Sequence, residues 1–288
     1  MRFCLLSLLC LAATGLFAFD QTQLDAGKQL FQNRQLVEAK AVFEKLAVAE
    51  PNNAEINYWL GLTALSTNDS ENAVNYFEKA AAGDPSQARY FHELGDAYGL
   101  SAQKASLFSK LGFAKKCLAA YNKAVALDPE NVEYRKSRYE FYRAAPSMVG
   151  GGMDKAMTEM AEIEKRDPIQ GAGLRADLKL KEGKTEEAFA ILTALRQKFP
   201  DSKVACYQLG RLVAMTGDKL DEGEAALRDY LSYTPKPSDP PLWAAHWRLA
   251  MIFEKKGVNA EARTHYEETL KLNPSFERAR EALKRLQR

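Results

Sequence analysis

The sequence has almost no imbalance of charge. Lysine and arginine number 40 and aspartate and glutamate 38, so the formal net charge is only +2. A protein that follows a phosphate backbone usually concentrates basic residues on one face, and this composition supplies no such excess. We therefore expect no nucleic-acid partner.

Cysteine is also scarce, with four residues in the whole chain. Cys4 and Cys10 lie in an N-terminal apolar stretch. Cys117 and Cys206 lie far apart, each at a helical position that suits a small apolar side chain. We predict that Cys117 and Cys206 are buried core residues without an intramolecular disulfide. Stability must then come from helix packing.

Motifs for nucleotide binding are present only in incomplete form. The stretch 171–176 fits the glycine pattern of a dinucleotide site, but the preceding residues do not form the strand that this site requires. We interpret it as a turn between helices. Gly183-Lys184-Thr185 resembles the end of a phosphate-binding loop, but Leu178 stands where the first glycine is needed. We interpret it as a turn too.

Catalytic and metal-binding patterns are equally sparse. The three histidines, His92, His246 and His265, show no ligand spacing among themselves, so we predict no metal site. The sequence contains no Gly-x-Ser-x-Gly motif and no paired cysteines, and its carboxylates follow the spacing of solvated helix faces. We predict that the protein is not an enzyme and needs no cofactor.

One uncharged run stands apart from the rest. After Arg2, residues 3–19 carry no charge and are rich in leucine, alanine and cysteine. This pattern predicts a signal peptide over residues 1–18, cleaved after Ala18 and leading to the periplasm or the exterior. Leu16 is large for its place before the cleavage site, so the sequence does not fix the exact position of the cut. A retained N-terminal anchor is the alternative to cleavage. Lipid attachment at Cys10 is disfavoured by the preceding Leu9.

The remaining chain repeats one pattern. A small residue is followed four positions later by a large one, and a proline ends the copy, as in Ala39, Phe43 and Pro51. A second short motif, such as Leu60-Gly61, precedes several copies by about a dozen residues. Spacings of three and four predict pairs of amphipathic helices. The paired helices are expected to be joined at the turns 68–69, 183–184, 216–218 and 256–257, and the pairs to be separated by proline.

This pattern resembles the tetratricopeptide repeat, a helix–turn–helix of about 34 residues. The resemblance implies an all-α fold: a right-handed α-solenoid of about seven repeats over residues 19–276, with a capping helix over 277–288. The clearest copies are 54–87 and 243–276. Glycine and alanine of the motif are expected to admit close helix approach, and the large residues to fill the space between repeats.

Three segments depart from the repeat. Residues 101–112 are predicted to extend the two helices of the third repeat. Residues 145–152 contain proline and three glycines and predict a mobile loop with Met148 and Val149 exposed. This loop is either a tolerated insertion or a contact for a partner. The proline-rich loop 234–241 is predicted to be stiff and extended.

The resemblance also implies where a partner binds. Members of the family hold protein or peptide ligands on the concave face, at exposed positions of each first helix. The corresponding residues here are Tyr58, Leu62, Arg89, His92, Asp96, Glu133, Lys136, Glu140, Arg143, Tyr207, Arg211, Trp247 and Met251. Leu24 and Lys28 stand where a carboxylate clamp would begin, so a chaperone-tail ligand is not expected.

The sequence thus predicts an exported protein–protein interaction scaffold. Its expected ligand is a polar, extended peptide or protein segment. A membrane-anchored assembly factor of an envelope complex is the alternative, and contact with a membrane is expected only if the N-terminal segment is retained. An enzyme built on an α-solenoid is the third hypothesis.

Overall fold

The computed structural model describes residues 21–286, so the predicted signal peptide lies outside the described residues. Within this range the chain folds into fifteen α-helices and one 3₁₀ helix, without a β-strand. The α-helices, in chain order from α1 to α15, are Gln21–Gln32, Leu36–Ala49, Ala54–Ser66, Ser70–Gly83, Ala88–Lys104, Leu107–Leu127, Val132–Ala144, Met153–Arg166, Pro168–Lys181, Thr185–Lys198, Lys203–Thr216, Leu220–Leu231, Leu242–Lys255, Asn259–Leu272 and Glu277–Leu286.

Consecutive helices pack in pairs. α1 contacts α2, α3 contacts α4 and α5 contacts α6, and the same holds for α9 with α10, α11 with α12 and α13 with α14. The predicted turns at 68–69, 183–184, 216–218 and 256–257 all lie between the two helices of a pair. The all-α helical-repeat solenoid is therefore confirmed, and the predicted last helix is α15.

The chain divides into two compact units, an N-terminal unit that ends at Ala156 and a C-terminal unit that begins at Met157. In the N-terminal unit, separate apolar clusters form around Phe43 and around Phe77 with Tyr121. In the C-terminal unit one continuous cluster extends from Ala172 to Ala282. Each core is built from the large residues that the repeat pattern singles out.

Glycine in the first helix lets the second helix of the pair come close. A Cβ built on Gly61 would lie 2.6 Å from the ring of Phe77, and one on Gly95 would lie 2.4 Å from the ring of Tyr121. In the C-terminal unit a Cβ on Gly210 would lie 2.3 Å from Leu227. Any larger residue would push the helices apart, so these glycines are required by packing.

The repeats begin with similar caps. The side chain of Asn53 accepts hydrogen bonds from the amides of Glu55 and Ile56 at the start of α3. Asn131 caps α7 in the same way. Each asparagine stands two residues after a proline, and these caps satisfy amides that the first turn leaves open. Proline followed by a capping residue therefore marks the start of both helices.

Residues 171–176 lie inside α9, which begins at Pro168. The interpretation of this stretch as a turn was wrong, because Asp167 caps the helix and proline is accepted in its first turn. Glycine here serves packing, since a Cβ on Gly171 would lie 2.4 Å from the side chain of Glu164.

The three segments that depart from the repeat have local structure of their own. α5 and α6 are the predicted extended pair, with 17 and 21 residues. The 145–152 segment contains a 3₁₀ helix over Ser147–Val149. Met148 is 69% exposed but Val149 only 4%, so the prediction of an exposed Val149 was wrong. The hydroxyl of Tyr233 donates to Asp239 at 2.8 Å within the proline-rich loop.

In residues 21–286 no helix combines the length and apolar character needed to cross a bilayer.

Candidate functional site

Several of the predicted binding residues come together in the N-terminal unit, where α7 crosses close to α5 and α6. A groove of about 300 Å³ opens there. Its lining is Gly99 of α5, Cys117 and Tyr121 of α6, and Glu133, Lys136, Ser137, Glu140 and Phe141 of α7. The predicted residues Glu133, Lys136 and Glu140 thus form part of one surface.

The groove combines two kinds of side chain. Tyr121 and Cys117 are buried, at 8% and 3% exposure, and supply an apolar floor. Lys136 is paired with Glu133 at 3.4 Å, and Glu140 is paired with Arg143 on the next turn of α7. Charges of both signs therefore line the rim. Such a surface can take an apolar side chain while its rim orients a polar backbone.

His92 and Asp96 lie next to this floor. The hydroxyl of Tyr121 donates to Asp96 at 2.5 Å, and Nε2 of His92 is 2.9 Å from the hydroxyl of Ser137. His92 is 8% exposed, so the prediction that it is an exposed contact residue was wrong. The ring is instead covered by Tyr134, whose centroid lies 4.8 Å away.

The protonation of both groups is shifted by their surroundings. Burial raises the pKa of Asp96, and the charges of Glu93 and Glu133 raise it further. Burial lowers the pKa of His92, but the hydrogen bond to Glu93 and the charge of Asp96 outweigh it and leave that pKa raised. Burial also raises the pKa of Cys117 to about 12. The thiol is therefore protonated at neutral pH and is not a nucleophile.

Tyr58 and Arg89 form a second cluster on neighbouring helices. The guanidinium of Arg89 lies 4.9 Å from the ring centroid of Tyr58 and pairs with Glu55 at 2.5 Å. Glu55 also accepts from Trp59 at 2.9 Å and pairs with Lys28 at 3.2 Å. These side chains hold three successive first helices together.

Leu62, another predicted contact residue, packs against the apolar cluster around Phe77. It is only partly exposed.

The remaining predicted residues lie in the C-terminal unit. Arg211 forms a two-pronged pair with Asp177, in which each Nη is 2.9 Å from a carboxylate oxygen. Tyr207 is 7% exposed and packs against Tyr230, so its prediction as an exposed residue was wrong. Trp247 packs edge-on to Phe276. Met251 is partly buried, and its sulfur is 3.6 Å from Nη1 of Arg248.

Sequence reasoning missed two features. Ser137 and Phe141 are one position from Lys136 and Glu140, so the spacing of three and four along α7 could have indicated them. His246 and His265, treated as unrelated, lie on α13 and α14 with their Nδ1 atoms 2.9 Å apart. Nothing in their spacing of 19 residues indicates this contact, which the packing of two helices creates.

Models of the tetratricopeptide repeat match residues 24–88, and a second model of this repeat matches residues 174–202 and 244–275. These matches fall on the helix pairs described above. The chain is a tetratricopeptide repeat protein. Its repeat fold supports a general role as a scaffold for protein–protein interaction and is typically non-catalytic.

Solved structures resemble this tetratricopeptide protein over most of its length. One is a tetratricopeptide repeat protein from Parabacteroides merdae, which is 16% identical in sequence and has a TM-score of 0.59. The match covers 93% of this chain and 98% of that chain. Another is a thermophilic repeat protein from Thermus thermophilus, with 16% identity, coverage of 92% and 97%, and a TM-score of 0.40. The first likeness shows a shared fold. No curated protein matches the sequence.

Proposed function

We propose that this protein is a binding scaffold that holds an extended segment of a protein partner in the groove lined by α5, α6 and α7. The observation that carries the proposal is the groove itself. An apolar floor of Tyr121, Cys117 and Phe141 lies beneath a rim with Glu133, Lys136 and Glu140. A pocket of about 300 Å³ is at the lower end of the range for ligand sites, which suits one anchoring side chain.

The chemistry of the groove favours binding over catalysis. Cys117, the potential nucleophile of the floor, is held as a thiol by burial. Asp96 and His92 are engaged by Tyr121 and Ser137 and lie under the groove. Interface anchors are commonly aromatic residues surrounded by polar groups that exclude water. Tyr121 and Phe141 fit the first role, and the charged rim fits the second.

Peptide selection followed by affinity measurement tests the proposal. The purified chain is used to select peptides from a random displayed library, and the selected peptides are titrated by fluorescence anisotropy. We expect Lys136→Glu and Phe141→Ala to weaken binding by at least about tenfold, which corresponds to about 1.4 kcal/mol. Circular dichroism first establishes that each variant is folded.

Two matched variants serve as controls. Lys45→Glu makes the same charge reversal on the exposed face of α2, and Phe108→Ala removes a ring that is 89% exposed. Both should bind the selected peptides within about twofold of the wild type. If the groove variants bind as tightly as these controls, the site lies elsewhere and the proposal is wrong. The exposed Met148 would then be the next residue to test.

We also propose that the scaffold acts after export, in the periplasm or outside the cell. The support is the uncharged run 3–19 behind Arg2. Cell fractionation with N-terminal sequencing of the recovered protein tests this. A soluble exported product that begins near Phe19 agrees with cleavage, whereas an intact N-terminus in the membrane fraction favours the anchored assembly factor. Recovery in the cytosol contradicts both.

A further inference from the structure

Three potential metal ligands converge on one face of α5. One ring nitrogen of His92 and one carboxylate oxygen each of Glu93 and Asp96 lie within 4.8 Å of one another. His92 and Asp96 are four residues apart, so both side chains project from the same side of the helix. Nδ1 of His92 is 3.5 Å from Glu93. A small shift of side chains would bring all three groups around one ion.

Residues from other helices orient two of the three groups. Ser137 of α7 contacts Nε2 of His92 at 2.9 Å, which leaves Nδ1 facing the carboxylates. Tyr121 of α6 donates to one oxygen of Asp96 at 2.5 Å and leaves the other oxygen available. Metal-binding histidines and carboxylates generally have such outer partners, which fix the ring and the carboxylate in place.

The charge around this cluster is incompletely balanced. Within residues 21–286 neither Glu93 nor Asp96 forms an ion pair with a lysine or arginine, and His92 is the only basic partner of Glu93. Glu133 adds a third carboxylate nearby, although Lys136 pairs with it at 3.4 Å. Partly buried carboxylates need a counter-charge, and a divalent cation would provide it.

The donor set indicates which cation fits. One imidazole and two carboxylates suit Zn²⁺ or a similar divalent transition metal better than Ca²⁺, which prefers six to eight oxygen ligands. Three protein ligands leave one tetrahedral position open. We infer that His92, Glu93 and Asp96 form a binding site for one divalent transition-metal ion, with Ser137 and Tyr121 as positioning residues. The inference does not depend on the proposed peptide binding.

Isothermal titration with Zn²⁺ tests the site directly. The full purified chain, freed of any histidine tag and treated with EDTA and then dialysed, is titrated with Zn²⁺ alone. We expect one equivalent to bind through this cluster. His92→Gln and Asp96→Asn should each weaken binding by more than about tenfold, because each removes a ligand. Ser137→Ala should weaken it by a smaller factor.

The histidine pair of the C-terminal unit provides the control. His246 and His265 could also bind Zn²⁺, since their Nδ1 atoms are 2.9 Å apart. The double variant His246→Gln/His265→Gln should therefore keep the proposed site while losing any second one. Substitution with Co²⁺ adds a spectroscopic readout, since visible absorption bands should be lost in His92→Gln and kept in the double variant.

Two results would overturn the inference. One is the absence of saturable Zn²⁺ binding by the wild type. The other is binding that survives His92→Gln and Asp96→Asn unchanged. Thermal unfolding of each metal-free variant by circular dichroism shows whether it is folded. If His92→Gln unfolds, Glu93→Gln supplies the deciding measurement, because the side chain of Glu93 is less buried than that of His92.

Discussion

The two units each contain a histidine site, but the two sites differ in charge. In the N-terminal unit His92 lies among Glu93, Asp96 and Glu133, and these charges raise its pKa. In the C-terminal unit burial, together with the charges of His246 and Arg228, lowers the pKa of His265 to about 4. The same residue type is therefore held towards opposite protonation states. Neighbours brought in by packing decide which state is favoured.

In each unit a buried tyrosine packs against the first helix of its pair, and removing these rings gives the largest effect that we expect. Tyr121 packs against Gly95, whereas Tyr266 is 1% exposed and lies 5.2 Å from Trp247. Tyr121→Ala and Tyr266→Ala should each lower the free energy of unfolding by about 3–5 kcal/mol, measured by urea denaturation. A loss under 1 kcal/mol in either variant would contradict the packing described here.

The second prediction concerns the stability of the protein at acidic pH. Because the folded pKa of His265 lies near 4, below its ordinary value near 6.5, the unfolded chain binds more protons between these values. Stability should therefore fall as the pH decreases from 6.5 towards 4. Since the ring is only half-buried, we expect a loss of about 1–2 kcal/mol from this group rather than the full shift.

Comparison with His265→Gln isolates the contribution of His265. Urea denaturation of the wild type and the variant at pH 7 and pH 5 gives the loss of stability of each protein between the two pH values. The other charges that act on the histidine pair are those of Glu224, Glu268, Lys271 and Arg228. The wild type should lose more stability than the variant. Equal losses would show that the histidine pair does not oppose protonation.

A third prediction separates the tyrosine hydroxyls from the rings. Tyr266 donates to Glu254 at 2.7 Å, but Arg285 also binds that carboxylate. Asp96 accepts a hydrogen bond from Tyr121 and has no arginine or lysine partner in the described residues. Tyr121→Phe should therefore cost about 1 kcal/mol and Tyr266→Phe less. Urea denaturation of both variants checks the order, and a reversed order would contradict it.

The smallest effect concerns the titration of His92 itself. In the presence of EDTA, nuclear magnetic resonance of the imidazole protons should give His92 a midpoint above that of His265. His92 contributes stability below its unfolded pKa, and this contribution is lost as the pH rises through the folded value. Ser137→Ala should move the His92 midpoint and leave that of His265 unchanged. Coinciding midpoints in the wild type would remove the contrast between the units.

Sequence reasoning was most successful for the helices. The spacing of Ala39 and Phe43, the turn residues and the recurring prolines predicted the helix pairs, and Cys117 and Cys206 are buried as expected. These features depend on periodicity and local backbone preference, which a sequence displays directly. The same rules failed at residues 171–176, because a cap at Asp167 allowed glycine and proline inside a helix.

The details of the sites were less accessible from sequence. The resemblance to a repeat family placed His92 and Tyr207 on an exposed face, yet Tyr134 covers the first and Tyr230 packs against the second. Val149 was expected to be exposed but is buried beside Gly150, next to α6. Exposure of a residue depends on the side chains that neighbouring helices present, and those neighbours are remote in sequence.

The sequence by itself determined that this chain forms helix pairs, where several turns between paired helices fall, and which motif residues make their cores. Only the tertiary structure decided that Ser137 and Tyr121 meet His92 and Asp96, and that His246 meets His265. Helix periodicity acts over three or four residues, whereas these contacts join residues 19 to 45 positions apart. Charge and hydrogen bonding at the sites follow from how the helices pack, and no local pattern records that packing.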